Sequence, residues 1–198
     1  MSAILLQKLG VYIDPDFLSA DHCQEICKAI RQGELSEAGL YSDSAQESSL
    51  DAVKRQSYFA DVPATIKEMV DDKIRKLQPE LEQHFKESFN KRFEASKFLL
   101  YREGHFFAPH RDNQLGRRVN MSIYLNDQTD EPADGSYSGG MLKIYGLIDR
   151  PDWENRGVDL CGKRGMLVAY PAHLIHEITP VLSGERYAIV SRFLDAQA

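Results

Sequence analysis

The chain has 198 residues, of which 42% are apolar and 27% charged, and its net charge is −6. That size suits one domain with a real hydrophobic core, and the acidic balance gives no reason to expect nucleic acid, which is normally met by a basic face. No stretch approaches the ~18 consecutive apolar residues of a membrane span, no signal peptide is indicated, and Cys23, Cys27 and Cys161 do not make a disulfide framework, so cytoplasmic residence is expected.

An extended piece from Gly10 to Asp16 comes first. A helix follows, begun either by Asp14 with Pro15 or by Ser19, with Ile26, Ala29 and Ile30 as its apolar stripe and Gly33 as its stop. Cys23 and Cys27 share a face of this helix. No second thiol pair or histidine pair completes four ligands around them, which favours small core residues over half a metal site. From Gly33 to Gln56 the chain is polar with little periodicity. It reads either as a lid over substrate or as a segment ordered only when substrate binds.

A second helical region is predicted from near Asp61 or Pro63 to about Asn90. Ile66, Met69, Val70, Ile74, Leu77, Leu81 and Phe85 recur there at helical spacing, and Pro79 predicts a split or kink. After Phe93, β-branched and aromatic runs follow at 97–101, 119–125, 141–145, 166–170, 176–181 and 187–193, separated by turns rich in Gly, Pro and Asp. Gly165 and Gly184 are read as such turns. Helices followed by strands suggest a sheet or barrel with helices packed on one outer face. The long loops are 127–138 and 147–162, the latter holding Trp153 as its anchor.

Among six histidines, His110 and His176 have the partners a metal site needs. His110 and Asp112 are two residues apart, so on or beside a strand both side chains reach one face. A third ligand from a distant strand, His176 or its rival His173, completes two imidazoles and one carboxylate. That set holds non-haem iron(II) with open positions, although zinc also accepts it. A lone His-x-Asp pair is more often a solvated turn. Arg186 is either a bidentate partner for a free carboxylate or a surface ion pair. Arg111, between the first two ligands, should point away from a metal, and His105 belongs to a loop.

The blocks LeuLeuTyrArgGluGlyHisPhePheAlaProHisArgAsp (99–112), AsnMetSerIleTyrLeuAsnAsp (120–127), SerGlyGlyMetLeuLysIleTyr (138–145) and HisGluIleThrProValLeuSerGlyGluArgTyrAlaIle (176–189) occur in that order. Together the segment from Phe98 to Phe193 resembles the catalytic domain of 2-oxoglutarate and iron(II)-dependent oxygenases, in particular the prolyl 4-hydroxylase branch. The resemblance implies a mainly β fold with α: a double-stranded β-helix (jelly roll) core with N-terminal helices packed outside. It implies a single oxygenase domain over 1–198, with 1–93 as helical support and lid loop and 94–198 as the catalytic core. His110, Asp112 and His176 look like the iron ligands, and Arg186 like the residue gripping the distal carboxylate of 2-oxoglutarate. Tyr101 and Tyr124 occupy positions where this branch places tyrosines facing the co-substrate. Gly139 and Gly140 resemble the paired glycines that bring the chain close to the barrel wall.

The implied cofactors are Fe(II) and 2-oxoglutarate, with ascorbate as a supporting reductant and O2 as co-substrate. The implied reaction is hydroxylation of a prolyl residue in a protein or peptide by an iron(II)/ferryl mechanism producing succinate and CO2. A hydroxylase of a free amino acid or other small metabolite is the alternative, and a non-enzymatic jelly-roll module is a third reading. Arg192 departs from relatives that carry an aromatic residue there. Facing the pocket, it would point to a carboxylate-bearing substrate.

Overall fold

The structure, a computed structural model, describes residues 6, 9–41, 48–49, 51–148, 150 and 156–195. Its elements in chain order are β1 (Tyr12–Asp14), α1 (Ala20–Gln32), β2 (Leu35–Glu37), β3 (Leu40–Tyr41), β4 (Ser48–Ser49), β5 (Arg55–Gln56), β6 (Tyr58–Ala60), α2 (Ala64–Phe85), β7 (Phe89–Tyr101) and β8 (Phe106–His110). There follow β9 (Arg117–Tyr124), β10 (Tyr137–Gly139), β11 (Leu142–Ile144), β12 (Val158–Leu160), β13 (Leu167–Pro171), β14 (His176–Ile178), β15 (Val181–Gly184) and β16 (Arg186–Asp195).

Helix α1 starts where Ser19 accepts the His22 N–H through its hydroxyl, and it stops where the Gly33 N–H reaches the Ala29 carbonyl at 2.9 Å. Gly33 is needed for space, since a Cβ there would lie 1.9 Å from the Asp61 carbonyl oxygen. Helix α2 buries Ile66, Val70, Ile74, Leu77 and Leu81. It runs unbroken through Pro79, contrary to the predicted split. Pro79 is exposed, so the Arg75 carbonyl that loses its helical partner faces water, which satisfies it. The helix ends at Phe85 rather than near Asn90, because Lys86 turns into the left-handed region at φ 55°. Strand β7 therefore begins well before the predicted Lys97.

Two sheets face one another. The seven-stranded sheet has the order β1-β13-β9-β16-β7-β6-β2, and the five-stranded sheet has β12-β11-β14-β8-β5. Strands β10 and β15 form a separate pair, as do β3 and β4. This is a double-stranded β-helix with helices outside. The polar 33–56 segment is built into both sheets at its ends: β2 pairs with β6, and β5 pairs with β8. Positions 42–47 and 50, and Trp153 with its neighbours 151–155, lie outside the described residues. Among the described residues, no helix is long and apolar enough to cross a membrane.

The seven-stranded sheet separates two cores. Phe98, Leu100, Met121, Ile123, Tyr187, Ile189 and Phe193 face the helices together with Ile26, Ile74 and Leu81. Leu99, Tyr101, Tyr124, Val168 and Tyr170 face the other way, toward Leu142, Ile144 and Ile178 of the smaller sheet. The strand period of two makes this division and aims every second residue of β7, β9 and β16 into the space between the sheets.

Candidate metal centre and carboxylate cradle

His110 ends β8, His176 begins β14, and the two are paired across the antiparallel ladder. Asp112 continues the alternation past the strand end, and its N–H is held by the Ala172 carbonyl at 3.0 Å. One ligand atom from each of the three residues lies within 4.8 Å of the others. His110 Nε2 is 4.0 Å from Asp112 Oδ1, and His176 Nε2 is 3.7 Å from Asp112 Oδ2. His110 Nδ1 lies 2.8 Å from the Ala108 carbonyl and His176 Nδ1 lies 3.0 Å from that of Leu174. A carbonyl only accepts, so in both rings Nδ1 carries the proton and the Nε2 lone pair is directed at the cluster. Phe107 stacks on the His110 ring at 3.6 Å.

The electrostatics suit a cation. Burial pushes His110 down to about 3, helped by its like neighbour His176, and burial also lowers His176. Burial alone would raise Asp112, but Arg192, His176 and His110 outweigh it and hold the carboxyl well below the usual range. Two neutral imidazoles and one carboxylate are therefore present at neutral pH. Arg192 donates to Asp112 Oδ2 from Nε at 2.9 Å and from Nη2 at 2.6 Å. Its Nη1 also reaches Glu94 at 3.2 Å, while Glu94 receives Arg117 Nε at 2.6 Å. Oδ2 is thus occupied by a guanidinium fork, and Oδ1 is the oxygen left for a metal.

These residues border a cavity of about 350 Å³ that also touches Tyr101, Asn120, Tyr170 and Arg186. Arg186 opens β16, opposite Tyr101 of β7, and is 2% exposed. Its guanidinium carbon lies 5.1 Å from the Tyr101 ring centre and 5.3 Å from that of Tyr124. Gly140 and Gly162 shape this corner. A Cβ on Gly162 would lie 2.2 Å from Tyr124 and 2.7 Å from the Tyr137 hydroxyl, and one on Gly140 would lie 3.0 Å from Arg186 Cδ. Arg186 Nε and the hydroxyls of Tyr124 and Tyr137 are buried without a hydrogen-bond partner. Burial raises both tyrosines, so they remain donors. A buried guanidinium nitrogen without a partner is costly unless an acceptor joins it, and Arg186, which lines the cavity, is placed to meet a carboxylate there, whereas the two tyrosines do not line it.

The structure brings His110, Asp112, His176, Arg186 and Tyr101 to one cavity. Tyr124 lies behind Arg186 and is not part of the cavity wall. Arg192 faces the cavity, but its charge is met by Asp112 and Glu94. His173 is exposed and borders a different hollow, near Phe85 and Asp195. Arg111 is exposed at the rim, and His105 packs on Tyr58 at 5.2 Å. Cys23 and Cys27 sit in the helix-side core, where burial pushes their thiols up to about 11 and about 12. Sequence reasoning missed Tyr137, Glu94, Arg117 and Arg55. Tyr137 falls in a predicted loop, and the other three are charged residues whose burial no local pattern reveals.

A family model described as the 2OG-Fe(II) oxygenase superfamily matches residues 96–193. A PKHD-type hydroxylase from Maricaulis maris (strain MCS10) is 36% identical over 109 residues, covering 52% of this chain and 44% of that protein. The chain spans less than half the length of the curated relatives it matches. A Pseudomonas putida prolyl-4-hydroxylase superposes with a TM-score of 0.72 at 21% identity, covering 98% of this chain and 99% of that one. A prolyl hydroxylase from Trichoplax adhaerens, solved with a hypoxia inducible factor oxygen degradation domain peptide fragment, gives 0.71 at 21% identity, covering 100% of this chain and 89% of that one. At these identities the superpositions establish the fold.

Proposed function

The chain belongs to the 2OG-Fe(II) oxygenase superfamily, and on that premise we propose that it hydroxylates a prolyl residue in a protein or peptide, using iron(II), 2-oxoglutarate and O2. His110, Asp112 and His176 would hold the iron, and Arg186 would hold the far carboxylate of 2-oxoglutarate, with the Tyr124 ring backing its guanidinium. Tyr101 would flank the co-substrate from the cavity wall. One observation carries the reading: a cluster of two imidazoles and a carboxylate shares its cavity with a buried guanidinium whose Nε has no partner. The relatives' names support the prolyl substrate.

Bound iron(II) with 2-oxoglutarate supplies O2-dependent oxidation of an unactivated C–H bond, releasing succinate and CO2. The chain's residues supply position and charge. The Ala108 and Leu174 carbonyls fix both imidazoles with Nε2 inward. Arg192 holds Asp112 so that it offers a single oxygen. Phe107 and Tyr170 wall the histidines from water. Ascorbate would serve as supporting reductant. We take residues 1–198 as one catalytic domain, because β2, β6 and β5 of the first half join the two sheets of the second. Three free cysteines suit a cytoplasmic setting.

The test is mass spectrometry of proline-containing peptides incubated with enzyme, iron(II), ascorbate and 2-oxoglutarate. The expected result is the gain of one oxygen atom on proline, absent with Asp112→Ala. A free amino acid or small metabolite is the second reading, favoured by the basic side chains around the cavity. Oxygen gain on free amino acids but on no peptide would select it. Failure to consume 2-oxoglutarate with any candidate would overturn both in favour of a non-enzymatic binding module.

A further inference from the structure

The cavity has a charge balance opposite to that of the chain. Among the described residues, seven lysine and arginine side chains border it and Asp112 is its only carboxylate, against a net charge of −6 overall. Three of the seven have an acidic partner, and Arg111 is exposed at the rim. Arg117 and Arg192 are paired with Glu94 and Asp112, and Lys54 with Asp51 at 3.4 Å. Arg186 belongs to the carboxylate cradle.

Arg55 has no such partner. Its Nε donates to the Ser57 hydroxyl at 2.8 Å and its Nη1 to the Gly39 carbonyl at 3.4 Å. Both acceptors are neutral, so they orient the guanidinium without cancelling its charge. The guanidinium carbon lies 4.5 Å from the Phe107 ring centre and 5.0 Å from that of Phe59. Lys97 places its ammonium 5.2 Å from the same Phe59 ring, and no carboxylate lies within ion-pair distance of either cation among the described residues. The acid that acts on Lys97, Glu94, is already bound by Arg117 and Arg192.

Two like charges converging on one aromatic ring repel each other, and the ring faces recover only part of that cost. An anion between them would remove it. Burial lowers the pKa of Arg55, the sign of a charge held away from water. The location is equally telling. Phe107 carries Arg55 on one contact and stacks on His110 with the other, so a single aromatic layer separates the cation pair from the metal cluster. Lys97 is exposed at the mouth, where an incoming group would meet it first.

We propose that Arg55 and Lys97 form a substrate subsite for a carboxylate carried close to the carbon that is oxidised. Building on the proposed hydroxylase function, this narrows its substrate class to carboxylate-bearing ones. The carboxylate belongs either to an acidic side chain flanking the target proline in a peptide or to the α-carboxylate of a free amino acid. Both are held the same way, with the guanidinium giving two parallel donors and the ammonium a point charge.

Binding tests it without depending on turnover. Two capped fluorescent peptides, identical except that glutamates flanking the proline are replaced by glutamines, are titrated with the metal-free protein, and free L-proline is used as competitor. The glutamate peptide should bind about tenfold more tightly than its glutamine twin, or free proline should compete. Arg55→Gln and Lys97→Gln should each erase most of that preference, while Arg55→Lys restores part of it. The peptide outcome assigns the carboxylate to a side chain, and the proline outcome to a small molecule. Equal binding of both peptides with no competition by proline overturns the proposal. So does a preference that survives both glutamine variants, of which Lys97→Gln alters only an exposed side chain and keeps the test valid should Arg55→Gln misfold. An Arg55-dependent preference without oxygen gain on any peptide or amino acid would instead sink the hydroxylase reading and leave the subsite standing.

Discussion

Around Asp112 the individual charges are interdependent, and each substitution there has a calculable sense. Arg192 has a side chain only 14% exposed and is matched to two carboxylates. Replacing it with methionine leaves Asp112 facing Arg117 alone at 3.8 Å. We expect the metal-free protein to lose about 3 kcal/mol in urea unfolding, the usual cost of orphaning one member of a buried ionic set. An unchanged midpoint would mean the network is solvated. Arg186→Ala should behave differently: affinity for 2-oxoglutarate falls by roughly a hundredfold, about 2.7 kcal/mol, while iron(II) affinity measured without co-substrate stays near wild type. Equal loss of both would count against its proposed role. His110, Asp112, His176 and Arg186 were legible in the sequence because their residue types and spacing are themselves the signal. Arg192 was legible as a question only, since its answer depends on Glu94, far away in sequence but 3.2 Å away in space.

Among the elements, α2 shows where local rules are overridden. Its apolar spacing fixed the buried face, but the sequence could not show that Pro79 points outward. Because Pro79 is exposed and its ring only displaces a solvent-facing bond, Pro79→Ala should add an N–H donor without disturbing the core. The gain is about 1 kcal/mol after allowing for the looser unfolded chain, read as a rise of about 3 °C in melting temperature. A fall would show that proline holds a kink the packing needs. The strands after residue 93 were readable from their alternation. Those before it were not: β2 and β5 lie in the polar 33–56 stretch, β6 is the run Tyr58–Ala60, and all three are only two or three residues long, too short for any period to register. They exist because partner strands offer unpaired backbone groups.

For the whole molecule, the buried neutral histidines tie stability to acidity. His110 carries its proton below about 3 when folded and below 6.5 when free. Between those values the unfolded chain binds more protons, so stability present above the ordinary histidine range is lost as pH falls through it. The depressed Asp112 adds loss of the same sign at lower pH. The metal-free protein should melt at a clearly lower temperature at about pH 5 than at about pH 7.5. His110→Gln should narrow the gap; a gap unaffected by it would place the proton uptake elsewhere.

Strand β16 lies in the middle of the seven-stranded sheet, between β9 and β7, yet follows both in chain order and is the last of the described strands. It also carries Arg186 and Arg192. During synthesis the ribosome therefore releases β7 and β9 with a gap between them, their inner edges open until residues 186–195 emerge. The cavity cannot be half made. A chain made only as far as β15 would leave those two inner edges unpaired, so the binding chamber closes when β16 joins them.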